Sequence, residues 1–366
     1  MVIGYDAKRA FCNGTGLGNY SRSLIAAADA SKVLYTPEVR KPYGEWGGSL
    51  ADAVVRKPVG LWKLAPSLWR SLACAQKTAL DGVQIYHGLS HELPLGLPRD
   101  VRKVVTMHDL IVRRYPRYFS LFDRIVHRAK QRHACRVADV VVAISEQTKR
   151  DLVDMMHVPE GKIRVVYQTC DSRFWQCGKD HDSLPDVKGK YNLPERYVVC
   201  VGTIEERKNQ LNVIAAMEQV PEDVSLVIVG RPRGDYGRRV MDAATPRVRI
   251  LQGVDFADFP ALYAGAVASV YMSRFEGFGI PVLESMCCDT PVVTSNLSSM
   301  PEAGGDAALY ADPDDIGAIA AHLRHLADDA ELRRQCIEKG RTQRLRFAPE
   351  KVAQEMLVLY SSLLDG

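Results

Sequence analysis

Short, continuous apolar runs alternate with amphipathic helical patterns along the whole chain. In the first half the runs MVIGYDA, VQIYHG, KVVTMHD and DVVVAIS each end in polar or glycine residues, and RYVVCVG, VSLVIVG and ASVYMS repeat the pattern later. A run that is apolar on both faces is typical of a strand covered by helices on both sides, which requires a parallel sheet. The sequence therefore predicts an α/β protein with two Rossmann-like parallel-sheet domains.

The alternation is interrupted once, near the middle of the chain. Residues 168–194 are polar, charged and broken by proline and glycine, which is typical of a connection between domains. We expect an N-terminal domain over 1–170, a linker over 171–195 and a C-terminal domain over 196–345. Ligands of open parallel sheets bind at the carboxyl ends of the strands, so the chemistry is expected in a cleft between the two domains.

Composition narrows the class of protein. The chain has 366 residues, a length that suits two cores, and its formal charge of +4 gives no reason to expect a nucleic-acid partner. Nine cysteines without a C-x-x-C pair fit reduced thiols better than a disulfide framework. The N-terminus resembles a strand rather than a signal peptide, and no apolar run reaches the ~18 residues of a membrane helix. We expect a soluble cytoplasmic protein.

Two motifs follow strands in the first half. Gly16 and Gly18 lie in a glycine-rich loop that leads into a helix, whose first amides could hold a phosphate, although a tight turn would use the same glycines. His108 ends the strand KVVTM, where it could exchange a proton near neutral pH or simply bond to a neighbouring loop. His87 ends its strand in the same way and is the weaker candidate.

In the second half, adjacent cations follow a strand end. Arg207 and Lys208, together with Asn209, are predicted to open a helix that runs to about residue 219. Cations at a helix N-terminus oppose the dipole by roughly 0.3–1 kcal/mol each. A sequence that accepts this cost is expected to use the pair against a strongly anionic ligand such as a diphosphate. A solvated pair of charges is the alternative.

Two glutamates frame the next loop, RFEGFGIPVLESM. Glu276 projects from the loop after the strand ASVYMS, and Glu284 lies in the second turn of the following helix. The amides of Gly277 and Gly279, with the helix N-terminus, would form an anion-binding nest between them. This arrangement predicts one carboxylate facing a sugar, the other accepting hydrogen bonds from ribose hydroxyls, and phosphates over the nest.

These segments together resemble a known family. The spacing from Glu276 to Glu284 is similar to the E-x7-E signature of the retaining glycosyltransferases of family four, which have the GT-B fold, and PVVTS follows as it does there. GTGLGNYSRSL, VVTMHDLIVRRYP and VGTIEERKNQ also stand where that family has corresponding segments. The resemblance covers almost the whole chain. It implies that the final helix, within residues 346–366, packs back on the N-terminal domain.

The resemblance implies a role for each matching residue. Glu276 would face the donor sugar and its developing positive charge, and His108 would lie near the anomeric carbon or the 6-hydroxyl. Donor-binding residues would be Gly16, Gly18, Thr203, Arg207, Lys208, Gly277, Phe278, Gly279 and Glu284, with the cations on the diphosphate and Glu284 on the ribose. The family often separates its Arg and Lys by several residues, so which of the adjacent pair contacts the distal phosphate stays open.

The family also implies a mechanism without a metal or cofactor. It retains the anomeric configuration but lacks a convincing nucleophile, so the departing phosphate is expected to take the acceptor proton on the front face, and charge stabilisation of the diphosphate would dominate catalysis. Asp312-x-Asp314 superficially resembles a metal-binding pair. We interpret it instead as a helix N-cap.

The acceptor is harder to identify from sequence. A basic helix over residues 121–136 could contact anionic phospholipid or a lipid-linked acceptor at the inner face of the plasma membrane, or it could simply be solvated. The resemblance suggests a mannosyltransferase-like enzyme of bacterial surface polysaccharide assembly, with GDP-mannose favoured as donor, a UDP-hexose as the alternative, and a saccharide or lipid-linked saccharide as acceptor. A nucleotide-sugar epimerase, a phosphorylase or a non-catalytic partner subunit remains an alternative.

Overall fold

A computed structural model describes residues 1–14, 16–40, 53–177 and 184–365. The chain divides into a first unit, residues 1–169 with 348–366, and a second unit, residues 170–347. The segment 171–195, predicted as a linker, belongs to the second unit and contains two short helices, while its residues 178–183 lie outside the described part.

In the described part of the first unit, seven strands form a sheet in the order β3-β2-β1-β4-β5-β6-β7, with parallel pairing throughout. The strands are Val2–Asp6 (β1), Ser31–Tyr35 (β2), Ala53–Arg56 (β3), Ile85–Gly88 (β4), Arg102–Met107 (β5), Val140–Ala143 (β6) and Ile163–Val165 (β7). The α-helices are Lys8–Cys12 (α1), Gly16–Ala27 (α2), Pro66–Leu68 (α3), Cys74–Leu80 (α4), Ile111–Arg114 (α5), Leu121–Val137 (α6) and Glu146–Met156 (α7). Trp69–Ala73 continues α3 as a π-helical turn.

The second unit carries a parallel sheet of six described strands, ordered β10-β9-β8-β11-β12-β13. They are Arg196–Val201 (β8), Val224–Val229 (β9), Val248–Leu251 (β10), Ala268–Tyr271 (β11), Val292–Ser295 (β12) and Leu309–Ala311 (β13). The α-helices are Ser172–Gln176 (α8), Leu184–Lys190 (α9), Gln210–Ala216 (α10), Gly234–Asp242 (α11), Phe259–Ala264 (α12), Ile280–Cys287 (α13), Met300–Gly304 (α14), Ile316–Asp328 (α15) and Ala330–Arg344 (α16).

The final helix, Pro349–Leu364 (α17), belongs to the first unit. Its Tyr360 hydroxyl lies 2.6 Å from Nδ1 of His87 at the end of β4. Among the described helices, none is both long enough and apolar enough to cross a bilayer.

Burial explains why the apolar runs form the central strands. In β9, five of the six residues are buried, and β11 is buried throughout. Each fully buried Val, Leu or Ile contributes roughly 1.5–3 kcal/mol relative to an exposed side chain, which favours strands whose two faces are both covered. The prediction of two parallel α/β sheets is confirmed.

Candidate functional site

The site in the second unit is set by the order of strands in its sheet. Strands β8 and β11 are neighbours and run parallel, so the loops that follow them meet at the same edge. Arg207 and Lys208 come from the first loop and Glu276 from the second. The sheet therefore brings together three residues that are far apart in the sequence.

The Glu276 carboxylate is the centre of this cluster. Its Oε1 accepts hydrogen bonds from Nη1 of Arg207 at 2.5 Å, from the Ser273 hydroxyl at 2.6 Å and from the Tyr271 hydroxyl at 2.8 Å. The Lys208 ammonium also donates to Oε1 and to the Tyr271 hydroxyl. One carboxylate oxygen thus holds both predicted diphosphate-binding cations.

These contacts fix the charge of the cluster. Burial alone would raise the pKa of the Glu276 carboxyl, but the charges of Arg207 and Lys208, with hydrogen bonds from Lys208 and Ser273, lower it to about 2. Burial lowers the pKa of Lys208, and the charge of Glu276 opposes that shift. Glu276 is therefore ionised at neutral pH and stays an acceptor of hydrogen bonds.

The backbone around Arg207 and Lys208 differs from the sequence prediction. Glu206–Lys208 form a 3₁₀ turn, and α10 begins only at Gln210, after Asn209 adopts a left-handed φ of +60°. The cations therefore do not open the helix itself, which corrects the dipole argument. Arg207 is held instead by Phe275 O at 2.7 Å and by Oε1 of Glu205 at 2.7 Å. Thr203 lies just after β8, and its carbonyl oxygen accepts a hydrogen bond from Nε2 of Gln210 at 3.0 Å.

Hydrogen bonds also hold the backbone of the loop that carries Glu276. Its N–H lies 3.2 Å from Oγ of Ser298, whose hydroxyl donates to the Glu276 carbonyl at 2.7 Å, and the Ser299 hydroxyl donates to the same carbonyl at 3.0 Å. Phe278 is buried, with its ring 5.0 Å edge-on from Phe347. The Phe278 side chain is therefore part of the core of the second unit.

The two glycines of the loop are not equivalent. Gly279 has a φ of +116°, and a Cβ built there would lie 2.8 Å from Cε of Met300, so both the conformation and the space require glycine. Gly277 is half-buried and does not have a positive φ. Gly279 is the N-cap residue of α13, and no side chain caps this helix start.

Glu284 lies in the second turn of α13 and is buried, with 8% of its surface exposed. The Tyr263 hydroxyl donates to its Oε2 at 3.1 Å. Burial raises the pKa of the Glu284 carboxyl to about 7, against the effect of the Tyr263 hydrogen bond. The two glutamates of the signature thus differ: Glu276 is permanently charged, whereas Glu284 can lose or gain a proton near neutral pH.

In the first unit, the predicted glycines have different environments. Gly16 is exposed at the start of α2, and a Cβ there would meet nothing within 4 Å. Gly18 is buried, and its Cβ would lie 1.8 Å from the Asn13 carbonyl oxygen. Gly18 is thus explained by the close packing of α2 on its own preceding loop, and Thr15 within that loop lies outside the described residues.

The two histidines at strand ends are both buried and bonded. Nε2 of His108 lies 2.9 Å from the Leu89 carbonyl, and its backbone N–H donates to Nε2 of His91 at 2.8 Å. Burial, aided by the nearby His91, lowers the pKa of His108 to about 3, and its contact with the Leu89 carbonyl fits the alternative of a histidine bonded to a neighbouring loop. His87 bridges Tyr360 and Thr106 (2.6 and 2.8 Å), which is a structural role.

The acidic pair near the end of the chain also differs from its predicted role. Asp315, not Asp312 or Asp314, caps α15, by accepting from the Ala318 N–H at 2.9 Å. Asp314 pairs with Arg274 at 2.5 Å. Among the described residues, no group of three or more His, Cys, Asp or Glu side chains is placed to hold a metal ion.

The sequence analysis did not identify the residues that form hydrogen bonds with Glu276 and Glu284. Tyr271 and Ser273 stand two positions apart at the end of β11, on the side that faces Glu276. Their period of two along a strand is a signal that could have found them. Tyr263 and Ser298 carry no such signal, because only the folded sheet brings them beside α13 and its loop.

Comparison with known proteins gives matches over both halves of the chain. Residues 15–173 match the sequence model of Glycosyltransferase Family 4, and residues 186–343 match that of Glycosyl transferases group 1. The chain is 32% identical over 289 residues to O-antigen chain mannosyltransferase B of Escherichia coli, a match that covers 76% of this chain and 74% of that protein. It is 25% identical over 333 residues to O-antigen chain mannosyltransferase RfbU of Salmonella typhimurium, covering 86% and 88%.

A solved structure shares the fold over nearly the full length. The crystal structure of Anabaena Alr3699/HepE in complex with UDP and glucose superposes with a TM-score of 0.77 at 17% identity and covers 99% of each chain.

Proposed function

We propose that this chain, which belongs to glycosyltransferase family 4 and has the GT-B fold, transfers a hexose from a nucleotide-diphosphate sugar with retention of anomeric configuration. It is a glycosyltransferase by its family. The proposal of donor and mechanism rests on one observation. Arg207, Lys208 and Glu276 meet at one edge of the second sheet, and the buried Glu284 lies on α13, the helix that follows Glu276 in the chain.

The donor diphosphate is bound by Arg207, Lys208 and the start of α13. Lys208 donates to Tyr271 and Glu276, and an ammonium has three protons, so its third N–H is available to a phosphate oxygen. The uncapped first turn of α13 adds the positive end of a helix dipole, which favours an anion. Gly279 allows the loop backbone to turn toward these phosphates.

The ribose of the donor is bound by Glu284. A buried carboxylate accepts hydrogen bonds from two neighbouring hydroxyls well, because both of its oxygens are acceptors when it is ionised. Among the described residues of the free protein, Tyr263 is the one hydrogen-bond donor to this carboxyl, which is half protonated near neutral pH. Donor binding supplies the missing hydrogen bonds and therefore favours the ionised form.

The transfer step uses the leaving group as base. The bond between the anomeric carbon and the phosphate oxygen breaks, and the acceptor oxygen attacks the same face of the sugar. The acceptor proton passes to the departing phosphate oxygen, so the products are the glycoside and the nucleoside diphosphate. Arg207 and Lys208 stabilise the negative charge that develops on the diphosphate, and Glu276 stabilises the positive charge of the sugar ring. His108 is a positioning group, since its neutral ring presents Nδ1 as an acceptor for a sugar hydroxyl.

Mannose from GDP-mannose is the favoured donor, with a UDP-hexose as the alternative, and no metal or cofactor takes part. The support is the similarity to two proteins named O-antigen chain mannosyltransferases. For the same reason we place the enzyme in bacterial surface polysaccharide assembly, with a saccharide or lipid-linked saccharide as acceptor.

A thermal-shift panel of GDP-, UDP-, ADP- and dTDP-sugars tests the donor. A ligand that binds the native state stabilises it by RT ln(1 + [L]/Kd), about 2.7 kcal/mol at a hundredfold excess over Kd. GDP-mannose should give the largest shift, and Glu284→Ala should lose most of it. Equal, small shifts with every nucleotide sugar would contradict the proposal, as would inactivity toward saccharide acceptors without added divalent metal.

A peripheral position on the inner face of the plasma membrane is proposed for α6. Three apolar residues at its start, Leu121, Phe122 and Ile125, are 66%, 75% and 60% exposed. The same helix carries five cations and one acidic residue, Asp123; the cations are Arg124, Arg128, Lys130, Arg132 and Arg136. Exposed apolar residues next to a cationic helix fit the surface of an anionic bilayer.

Sedimentation with lipid vesicles tests this position. The chain should sediment with phosphatidylglycerol vesicles but not with phosphatidylcholine vesicles, and Phe122→Ser with Ile125→Ser should abolish sedimentation. Leu80→Ser is the matched control, because Leu80 is 79% exposed on another helix of the same unit. Sedimentation that persists in the double variant would show that α6 is not the contact.

A further inference from the structure

A tyrosine hydroxyl lies between Lys208 and Glu276 in the second unit. Tyr271 is the last residue of β11, and 4% of its surface is exposed. Its hydroxyl donates to Oε1 of Glu276 at 2.8 Å and accepts a hydrogen bond from the Lys208 ammonium. The donor and the acceptor of this one phenol are therefore both used by charged residues of the site.

The directions of these two hydrogen bonds follow from the charges of the partners. An ammonium can only donate, so the Tyr271 oxygen is the acceptor toward Lys208. Burial and the charge of Glu276 raise the pKa of the Tyr271 hydroxyl well above its ordinary value, so the phenol keeps its one proton. That proton is donated to the Glu276 carboxylate, which is ionised at neutral pH. The hydroxyl is thus held from both sides.

The sheet keeps Tyr271 itself in place. Tyr271 pairs with Thr294 of β12, and Oγ1 of Thr294 donates to the Tyr271 carbonyl at 2.8 Å. A Cβ built at Gly202, just after β8, would lie 3.7 Å from Cε2 of the ring. The ring therefore lies against the loop that carries Lys208, and the hydroxyl is a fixed point at the carboxyl edge of the sheet.

Two fixed acceptors determine the orientation of the Lys208 ammonium. Its Nζ donates to the Tyr271 hydroxyl and to Oε1 of Glu276, and it lies 4.8 Å from the centroid of the Tyr271 ring. With one acceptor the ammonium could rotate about that hydrogen bond, whereas with two the direction of its third N–H is set. Because a lysine side chain is flexible, its freedom is lost on folding and not when a ligand binds.

A tyrosine that serves only the core would have different partners. A buried hydroxyl needs a hydrogen bond wherever it lies, and Tyr197 of β8 is such a case, since it is fully buried and donates to the Leu262 carbonyl at 2.8 Å. The partners of Tyr271 are instead two charged side chains of the donor site. Phenylalanine would fill the same space in β11 without burying a hydroxyl, so packing alone does not require tyrosine there.

We propose that Tyr271 is a positioning residue of the donor site, whose hydroxyl directs the third N–H of Lys208 toward the donor diphosphate. A donor group that is already oriented stabilises the charge developing on the departing phosphate without reorganisation. The proposal rests on the proposed transferase function, to which it adds a residue that acts through Lys208.

The variant Tyr271→Phe tests the proposal, because it removes one oxygen and keeps the ring. With the nucleotide sugar that gives the largest thermal shift, kcat/KM for the donor should fall about tenfold, while the acceptor KM should stay within about twofold. The matched control is Tyr197→Phe, since Tyr197 is the second residue of β8 and the site follows the carboxyl end of that strand. Both variants should lower Tm, but Tyr197→Phe should leave the kinetic parameters unchanged.

A double-mutant cycle shows whether Tyr271 acts through Lys208. In a Lys208→Met chain, the added Tyr271→Phe change should lower kcat/KM by no more than about twofold, because the ammonium that the hydroxyl orients is gone. A similar loss in both backgrounds, or no loss in either, would overturn the proposal while the transferase function stands. Normal donor kinetics in Lys208→Met itself would instead overturn the proposed donor site.

Discussion

Nη1 of Arg207 lies 2.5 Å from Oε1 of Glu276, so the residue predicted to bind the donor diphosphate and the residue predicted to face the donor sugar are bonded to each other. Lys208 donates to the same oxygen. A donor that enters this site meets cations whose charge is already shared with a carboxylate. The charge of Glu276 therefore influences both ends of the bond that breaks.

The first prediction concerns Glu276→Gln. Loss of the carboxylate charge should lower kcat by about a hundredfold, because the sugar ring loses its counter-charge in the transition state. Donor affinity should stay the same or increase, since Arg207 and Lys208 are no longer neutralised. Steady-state kinetics together with calorimetry of donor binding separate the two effects.

Glu205→Gln is the matched control for that variant. It removes the other carboxylate that pairs with Arg207, since Oε1 of Glu205 lies 2.7 Å from Nη2 of Arg207. The side-chain hydrogen bonds of Lys208 stay the same. Its kcat should change only a few-fold. If both variants reduced kcat equally, the role of Glu276 would be to hold Arg207 rather than to face the sugar.

The second prediction concerns the pH dependence of donor binding. Burial raises the pKa of Glu284 to about 7, and only its ionised form accepts two hydrogen bonds from ribose. Donor affinity should therefore be constant above pH 7 and fall by up to about tenfold per pH unit below it. An intact nucleotide sugar is the right ligand, since its diphosphate diester does not titrate in this range. Glu284→Gln should bind more weakly and without pH dependence; a flat profile in the unmodified chain would reject the assignment.

The third prediction concerns the contribution of the Glu284 carboxyl to the pH dependence of the free energy of unfolding. A folded-state pKa above the unfolded value means that Glu284 stabilises the fold fully below about pH 4.5 and loses that contribution as pH rises through about 7. The free energy of unfolding of Glu284→Gln should therefore gain about 2–3 kcal/mol relative to the unmodified chain between pH 5 and pH 8. Denaturant titrations at both pH values measure these free energies. If the variant and the unmodified chain differed by the same amount at pH 5 and pH 8, the pKa of Glu284 would not be shifted in the folded state.

The fourth prediction concerns the turn that starts α13. Gly279→Ala should cost about 1–3 kcal/mol, because its φ of +116° is strained for alanine and the new Cβ would lie 2.8 Å from Met300. It should also weaken donor binding by displacing the loop of Glu276. Gly161→Ala is the control, since it has open space and no positive φ, and should change stability by less than about 0.5 kcal/mol.

The sequence predicted β1, β4, β5 and β6, the central strands of the first sheet, but not β2, β3 or β7 at its edges, and there is a simple physical reason for this. A strand buried on both faces must be apolar along its whole length, so β9 and β11 are visible as runs such as VSLVIVG and ASVYMS. The carboxylates of the signature could also be placed, because each has a fixed position relative to the end of β11. These features depend on residues close in sequence.

The contacts within the site could not be predicted in the same way. The bond between Arg207 and Glu276 depends on β8 and β11 being neighbours in the sheet, which the order of elements along the chain does not specify. The burial of individual side chains could not be predicted from the sequence either. His108 follows a strand as predicted, yet its surroundings lower its pKa to about 3. Gly18 satisfied a ligand-binding motif, but packing against the Asn13 carbonyl already requires it.

A crystal structure of the chain with intact GDP-mannose tests the central claim most directly. The account predicts diphosphate oxygens within hydrogen-bond distance of Lys208 and the start of α13, and ribose hydroxyls on the Glu284 carboxylate. A nucleotide sugar bound away from Lys208, Glu276 and Glu284 would contradict it.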